Sequence, residues 1–163
     1  MQQQIDSLEK YKVITERYVN ALTQIADENN SWDVINDDLT KLVQLLKDNV
    51  ELENFLLHPV IEHNDKKDVI EKVVKGFVTE QIFDFLNILL DKNRVYLIPS
   101  IQESFKEHLL KKNNIINIYV KTAIELDDDM KNRLLEKLGN KLQKKVNIIS
   151  DIDKSIIGGV ILQ

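Results

Sequence analysis

Near Asn113 the hydrophobic rhythm of this chain changes, and no single regular architecture accommodates both rhythms. Before that point apolar residues recur at helical spacing between short polar breaks. After it, residues 115–124 (IINIYVKTAI) are dominated by β-branched and aromatic side chains, which favour a strand. Residues 146–152 and 158–163 read as two more strands, with a helix over 127–143 between the first two. That helix places Met130, Leu134, Leu135, Leu138 and Leu142 on one face. The expected fold is therefore mainly α: a bundle over residues 1–112 followed by a small α/β domain over 113–163. A three-stranded sheet with one helix makes a very small core, so the tail is expected to lean on the bundle or on a partner.

Polar punctuation divides the first part into six expected helices. They run over 7–28, 32–47, 50–57, 65–75, 79–92 and 94–112. Asn29, Asn30 and Ser31 end the first, and Ser31 is placed to cap the second. Pro59 disfavours helical geometry at His58 and stops the third. Asn64 or Asp65 is expected to cap the fourth, Gly76 to follow its end, and Thr79 to open the fifth. Pro99 is tolerable in the first turn of the sixth, where the missing donor costs little. Near the end, Gly158 and Gly159 are two of only four glycines in the chain. Paired within a strand pattern, they point to a bulge or a close backbone approach.

Composition narrows the function. Charged residues are 30% and hydrophobic residues 43% of the 163, with two prolines, which describes an ordered helix-rich protein. The net charge of -5 comes from interspersed lysines and carboxylates, so a nucleic-acid partner is not expected. The chain has no cysteine, which excludes a disulfide scaffold, a thiolate zinc site and a cysteine nucleophile. Residues 1–6 lack the apolar core of a secretory signal, so the protein is expected to remain where it is made. No apolar run approaches the roughly 18 residues needed to span a bilayer, and membrane association is expected only through a partner.

Catalytic chemistry does not assemble from the remaining residues. His58 and His63 are separated by Pro59 and read as loop histidines, off the one-turn spacing of paired metal ligands. His108 lies in the lysine-rich end of the sixth helix, where a cation complements the helix dipole. Asp127, Asp128 and Asp129 fall at a helix start, where carboxylates serve as cap and dipole partners. The Gly158–Gly159 pair lacks the context of a phosphate loop. No catalytic residue, metal or cofactor is expected, and the protein reads as a non-enzyme.

Two helices are more apolar than a surface helix needs. The first carries one stripe at Tyr11, Ile14, Tyr18, Ala21 and Ile25, and another at Thr15, Val19, Leu22 and Ala26. In the fifth, Ile82, Phe83, Phe85, Leu86, Ile88, Leu89 and Leu90 surround most of the cylinder. Either both helices are buried all round, or an apolar groove between them accepts a partner's amphipathic helix.

Four segments, RYVNAL (17–22), FLLHPVI (55–61), NILLDKNRVYLIPSI (87–101) and DKSIIGGVIL (153–162), resemble in order and spacing the delta subunit of bacterial F-type ATP synthase, counterpart of the mitochondrial oligomycin-sensitivity-conferring protein. The resemblance covers almost the whole chain. It implies a non-catalytic connector in the peripheral stalk of an enzyme driven by protons or sodium ions. It places that connector on the cytoplasmic side of a bacterial inner membrane. It also implies that the amino-terminal bundle binds the amino-terminal helix of an alpha subunit in a groove of helices 1 and 5. Carried onto this sequence, that groove comprises Tyr18, Ala21, Ile25, Phe85, Ile88 and Leu89. Residues 113–163 are implied to meet the carboxy-terminal region of the b subunits. Family members continue past the GGV strand with an IGD-like turn and a final helix, so this C-terminal domain is expected to be a shortened one. Where the family has Tyr-Ala-x-Ala-Leu, this chain has Val19 after Tyr18, a larger residue expected to reshape the groove. The alternative function is a generic helical adaptor from another assembly.

Overall fold

Helix α1 (Gln2–Asn29) buries Thr15, Val19, Leu22 and Ala26 as one continuous stripe, the i, i+4, i+7, i+11 spacing that aligns side chains along a helix. The structure is a computed structural model and describes residues 2–122, 127–152 and 160–162. Among these are seven α-helices, six of them ahead of the first strand. By backbone proximity the chain divides into two compact units, Met1–Leu109 and Leu110–Gln163. α1 begins before residue 7 because its glutamine-rich start contains neither glycine nor proline to stop it. It ends at Asn30, whose φ of 49° turns the chain so that Ser31 N–H donates to Ala26 O at 3.0 Å.

Several helix starts lack a cap from their own flanking side chain. Ser31 precedes α2 (Trp32–Asp48), but its side chain makes no cap bond. At this junction the Trp32 indole N–H donates to Asp27 Oδ1 at 2.9 Å, and its ring stacks on Phe105 with centroids 5.2 Å apart. α3 (Val50–Leu57) stops at extended His58, as Pro59 requires. The buried Lys66 ammonium donates to His58 O at 2.8 Å, giving an end-of-helix carbonyl a cationic partner. α4 (His63–Val74) starts ahead of the expected Asn64 or Asp65 cap and takes in His63, which is therefore helical. Its flanking residue is Glu62, and no side-chain cap is formed. Gly76 follows its end at φ 83°, while Phe77 N–H donates to Val74 O at 2.9 Å.

Thr79 does open α5 (Glu80–Asp91), yet its own side chain does not cap. Asp38, buried on α2, accepts from Thr79 N–H at 2.7 Å and from Lys41 Nζ at 2.9 Å. A carboxylate from a neighbouring helix thus meets an orphan donor at the start of α5 and ties α2 to it. Burial opposes the ionised Asp38 carboxyl, but the bonds from Thr79 and Lys41 outweigh it and hold its pKa below the ordinary carboxylate value. The expected sixth helix begins as a 3-10 turn (Val95–Leu97) and becomes α6 (Ile98–Lys112), with Pro99 as its second residue. Ile98, Ile101 and Phe105 of α6 join Ile35, Leu39, Ile70, Ile82 and Leu86 in the core of this unit. On its outer side Ser104 Oγ donates to Glu16 Oε1 at 2.7 Å, with His108 Nε2 3.5 Å from Glu16 Oε2.

In the second unit, β1 (Ile115–Thr122) pairs in parallel with β2 (Lys145–Ile152) and antiparallel with β3 (Val160–Leu162), giving the order β2-β1-β3. α7 (Asp128–Leu142) connects the parallel pair. Asp127 caps it, Oδ1 accepting from Met130 N–H at 2.7 Å. Only part of the expected apolar face is used. Leu134 and Leu138 pack with Ile116, Ile118, Val120, Val146 and Ile148, whereas Met130 and Leu142 stay exposed at the two ends of the helix. The other sheet face presents Tyr119 opposite Ile149, both exposed. Gly158 and Gly159, and with them most of the DKSIIGGVIL segment, lie outside the described residues.

Two stability outcomes follow from these contacts. Phe105→Ala removes a fully buried ring and its stacking on Trp32, and is expected to lower unfolding free energy by about 3–5 kcal/mol in urea titration. Asp38→Asn is expected to cost about 1–3 kcal/mol at neutral pH. Because the folded pKa of Asp38 is depressed, its contribution is complete above the unfolded value of about 3.9 and is lost as pH falls through the folded value. The stability gap between wild type and Asp38→Asn should therefore close in that acidic window, as followed by thermal melts from pH 7 to 2.

Candidate functional site

Only one of the two apolar stripes of α1 is consumed by the core. The stripe Thr15–Val19–Leu22–Ala26 is buried, while Tyr11 and Ala21 are exposed and Ile14, Tyr18 and Ile25 are partly so. α5 behaves similarly: Ile82, Phe85, Leu86, Leu89 and Leu90 face inward, Phe83 is partly buried, and Ile88 keeps 50% of its surface exposed. Burial all round thus applies to neither helix. Between them lies an open cleft of about 450 Å³ lined by Tyr18, Ala21, Leu22 and Ile25 from α1 and by Gln81, Asp84, Phe85 and Ile88 from α5.

The cleft brings together five of the six residues expected there: Tyr18, Ala21, Ile25, Phe85 and Ile88. Leu89 is a correction. It has no exposed surface, because one step of about 100° beyond Ile88 carries it into the core. Val19 is a second correction, since it sits fully buried on the other stripe and does not shape the groove. Leu22, Gln81 and Asp84 were missed. Leu22 forms the floor from the buried stripe, whereas Gln81, Asp84 and Ile88 share the i, i+3, i+7 edge of α5 and were legible once Ile88 was taken as exposed.

Tyr18 is the pillar of the site. Its ring meets Phe85 edge-to-face with centroids 5.8 Å apart, and its hydroxyl accepts from Arg94 Nη1 at 2.8 Å. The guanidinium carbon lies 5.7 Å from the Tyr18 ring centroid, within cation–π range. Local sequence aims that arginine. Asn93 adopts φ 52° after α5, so that Asn93 N–H donates to Leu90 O at 2.9 Å and Arg94 N–H to Leu89 O at 2.7 Å. This is the left-handed helix ending that asparagine tolerates. The end of α5 is thereby locked against the side chain that forms the cleft's α1 wall.

The lining holds no histidine or hydroxyl paired with a base, and among the described residues no three His, Asp or Glu side chains gather around a metal-sized space. His58 Nδ1 instead accepts from Val60 N–H at 3.3 Å. No described helix is long and apolar enough to cross a membrane. What the cleft offers is desolvation for apolar side chains along two walls of about two helical turns each, 18–25 and 81–88.

Residues 14–163 match the family described as ATP synthase delta (OSCP) subunit. Similar proteins include the ATP synthase subunit delta of Clostridium botulinum (strain Langeland), 37% identical over 92% of this chain and 84% of its own length. That of Clostridioides difficile (strain 630) is 36% identical over 93% and 84%. Among solved structures, a chain of the Toxoplasma gondii mitochondrial ATP synthase hexamer aligns with a TM-score of 0.67 at 21% identity, covering 91% of this chain and 83% of that one. A chain of the Polytomella F-ATP synthase F1 head and rotor aligns at 0.55 and 21%, covering 59% and 85%. The fold is thus shared with those chains, and the sequence match extends over nearly all of this one. The chain belongs to the ATP synthase delta (OSCP) subunit family, non-catalytic components of the peripheral stalk of F-type ATP synthase.

Proposed function

We propose that this chain ties the catalytic head of a bacterial F-type ATP synthase to its stator stalk on the cytoplasmic side of the membrane. In this reading residues 1–112 act as a six-helix bundle on the head, and the α1–α5 cleft receives the amino-terminal helix of an alpha subunit. Residues 113–163 meet the carboxy-terminal region of the b subunits. The exposed pair Tyr119 and Ile149 on one sheet face supports a protein contact there, since paired apolar side chains on an open face gain by being covered. The observation that carries the proposal is Ile88, half-exposed at the mouth of a cleft whose other lining is largely apolar.

Mechanics explains the demand on that cleft. The turning central shaft exerts torque on the head, and a head not held to the stator would turn with it, so that rotation no longer drives ATP synthesis. A nanomolar hold corresponds to about 12 kcal/mol of binding free energy. A few desolvated anchors supply this better than many surface charges. Tyr18 and Phe85 are pre-set for the task by their mutual packing and by Arg94, so little side-chain freedom is lost on binding.

Calorimetric titration with a synthetic peptide of about 20 residues from the alpha amino terminus tests the reading. One peptide is expected to bind per protein. Ile88→Asp, at an exposed position, is expected to keep its helical circular dichroism and melting temperature while weakening binding at least about 30-fold, the loss of roughly 2 kcal/mol typical of a hot spot. No binding to the folded wild type would favour the generic adaptor instead.

A further inference from the structure

Asp84 is the one charged residue among those lining the cleft. It stands on α5 midway between Gln81 and Ile88, three residues after the first and four before the second, so the three side chains share one edge of the helix. The Asp84 side chain is exposed, and among the described residues nothing forms an ion pair or hydrogen bond with its carboxylate. Its own helix offers no cation. α5 carries Glu80, Asp84 and Asp91 and neither lysine nor arginine, and of the three Asp91 is engaged by Lys67 at 2.7 Å. The guanidinium of Arg94 is directed to the Tyr18 hydroxyl. The cleft therefore presents an apolar floor with a single unneutralised negative charge on its α5 rim.

We propose that Asp84 is a specificity-determining residue, selecting a partner helix that carries a lysine or arginine beside its apolar stripe. The proposal rests on the cleft receiving a helix, as above, and adds what that helix must look like. Four residues along α5 separate Asp84 from Ile88 by about 6 Å of rise. A partner helix lying along the cleft matches this with a basic side chain three or four residues from the apolar side chain that covers Ile88. An acidic residue at that position of the partner would face a like charge and be rejected.

The same alpha-subunit peptide separates this inference from the reading beneath it. Titration at low salt is expected to show Asp84→Asn binding about three- to fivefold more weakly than wild type, the scale of a solvent-exposed ion pair. The difference is expected to fall below about twofold in 0.5 M sodium chloride, where screening shortens the reach of exposed charges. Glu80→Gln, which removes the same charge from α5 outside the cleft lining, should leave affinity unchanged. Replacing the matching basic residue of the peptide by glutamine should weaken wild type and leave Asp84→Asn indifferent. Equal binding by wild type and Asp84→Asn, or an equal loss in Glu80→Gln, overturns the role of Asp84 while the cleft reading stands. Failure of wild type to bind the peptide at all overturns both.

Discussion

The core of the first unit has room for one stripe of α1, and that limit shapes everything around the cleft. Thr15, Val19, Leu22 and Ala26 fill the inner face, so the second stripe through Ile14, Tyr18 and Ile25 packs against the edge of that core and stays partly exposed. α5 is held alongside at its start by Asp38 of α2, and its end is closed by the left-handed Asn93. With both ends fixed, Phe85 meets Tyr18 and Arg94 reaches the Tyr18 hydroxyl. The partly exposed apolar surface is therefore backed by a packed core.

Much of this was legible in the sequence because it depends on local rules. Pro59 ended α3, Gly76 followed α4, and Asp127 capped α7, each through backbone chemistry that a few neighbouring residues decide. The side-chain caps expected for α2 and α4 did not form, and the anchor of α5 was not visible, for the opposite reason. Ser31 and Thr79 occupy the expected positions, but neither side chain caps its helix, and the Thr79 N–H is served by Asp38 across 41 residues, a pairing no local pattern encodes. The fourth helix starts at His63, with Glu62 rather than Asn64 or Asp65 in the flanking position.

The candidate site was legible as two over-apolar helices but not as a list of side chains. Composition marks α5 as apolar nearly all round; only the packed structure shows that Ile88 faces out while Leu89, one residue on, faces in. The same ambiguity hid Asp84, which reads as an ordinary solvated carboxylate until it is seen on the rim of an apolar cleft. Arg94 was equally silent, since its contact with Tyr18 spans 76 residues and depends on the turn at Asn93.

Membership of the delta (OSCP) family makes the chain a stalk component, and the cleft gives the proposed tether a physical form. The absence of cysteine from the sequence permits a direct test in the assembled enzyme. A single Ile88→Cys variant, incorporated with alpha subunits bearing one cysteine in the amino-terminal helix, would be oxidised and run on a non-reducing gel. The account predicts a delta–alpha cross-linked band for position 88 and none for a cysteine at Val60, which is 81% exposed in the turn after α3 and does not line the cleft. Cross-linking from Val60→Cys but not from Ile88→Cys, in enzyme that is fully assembled, would contradict it.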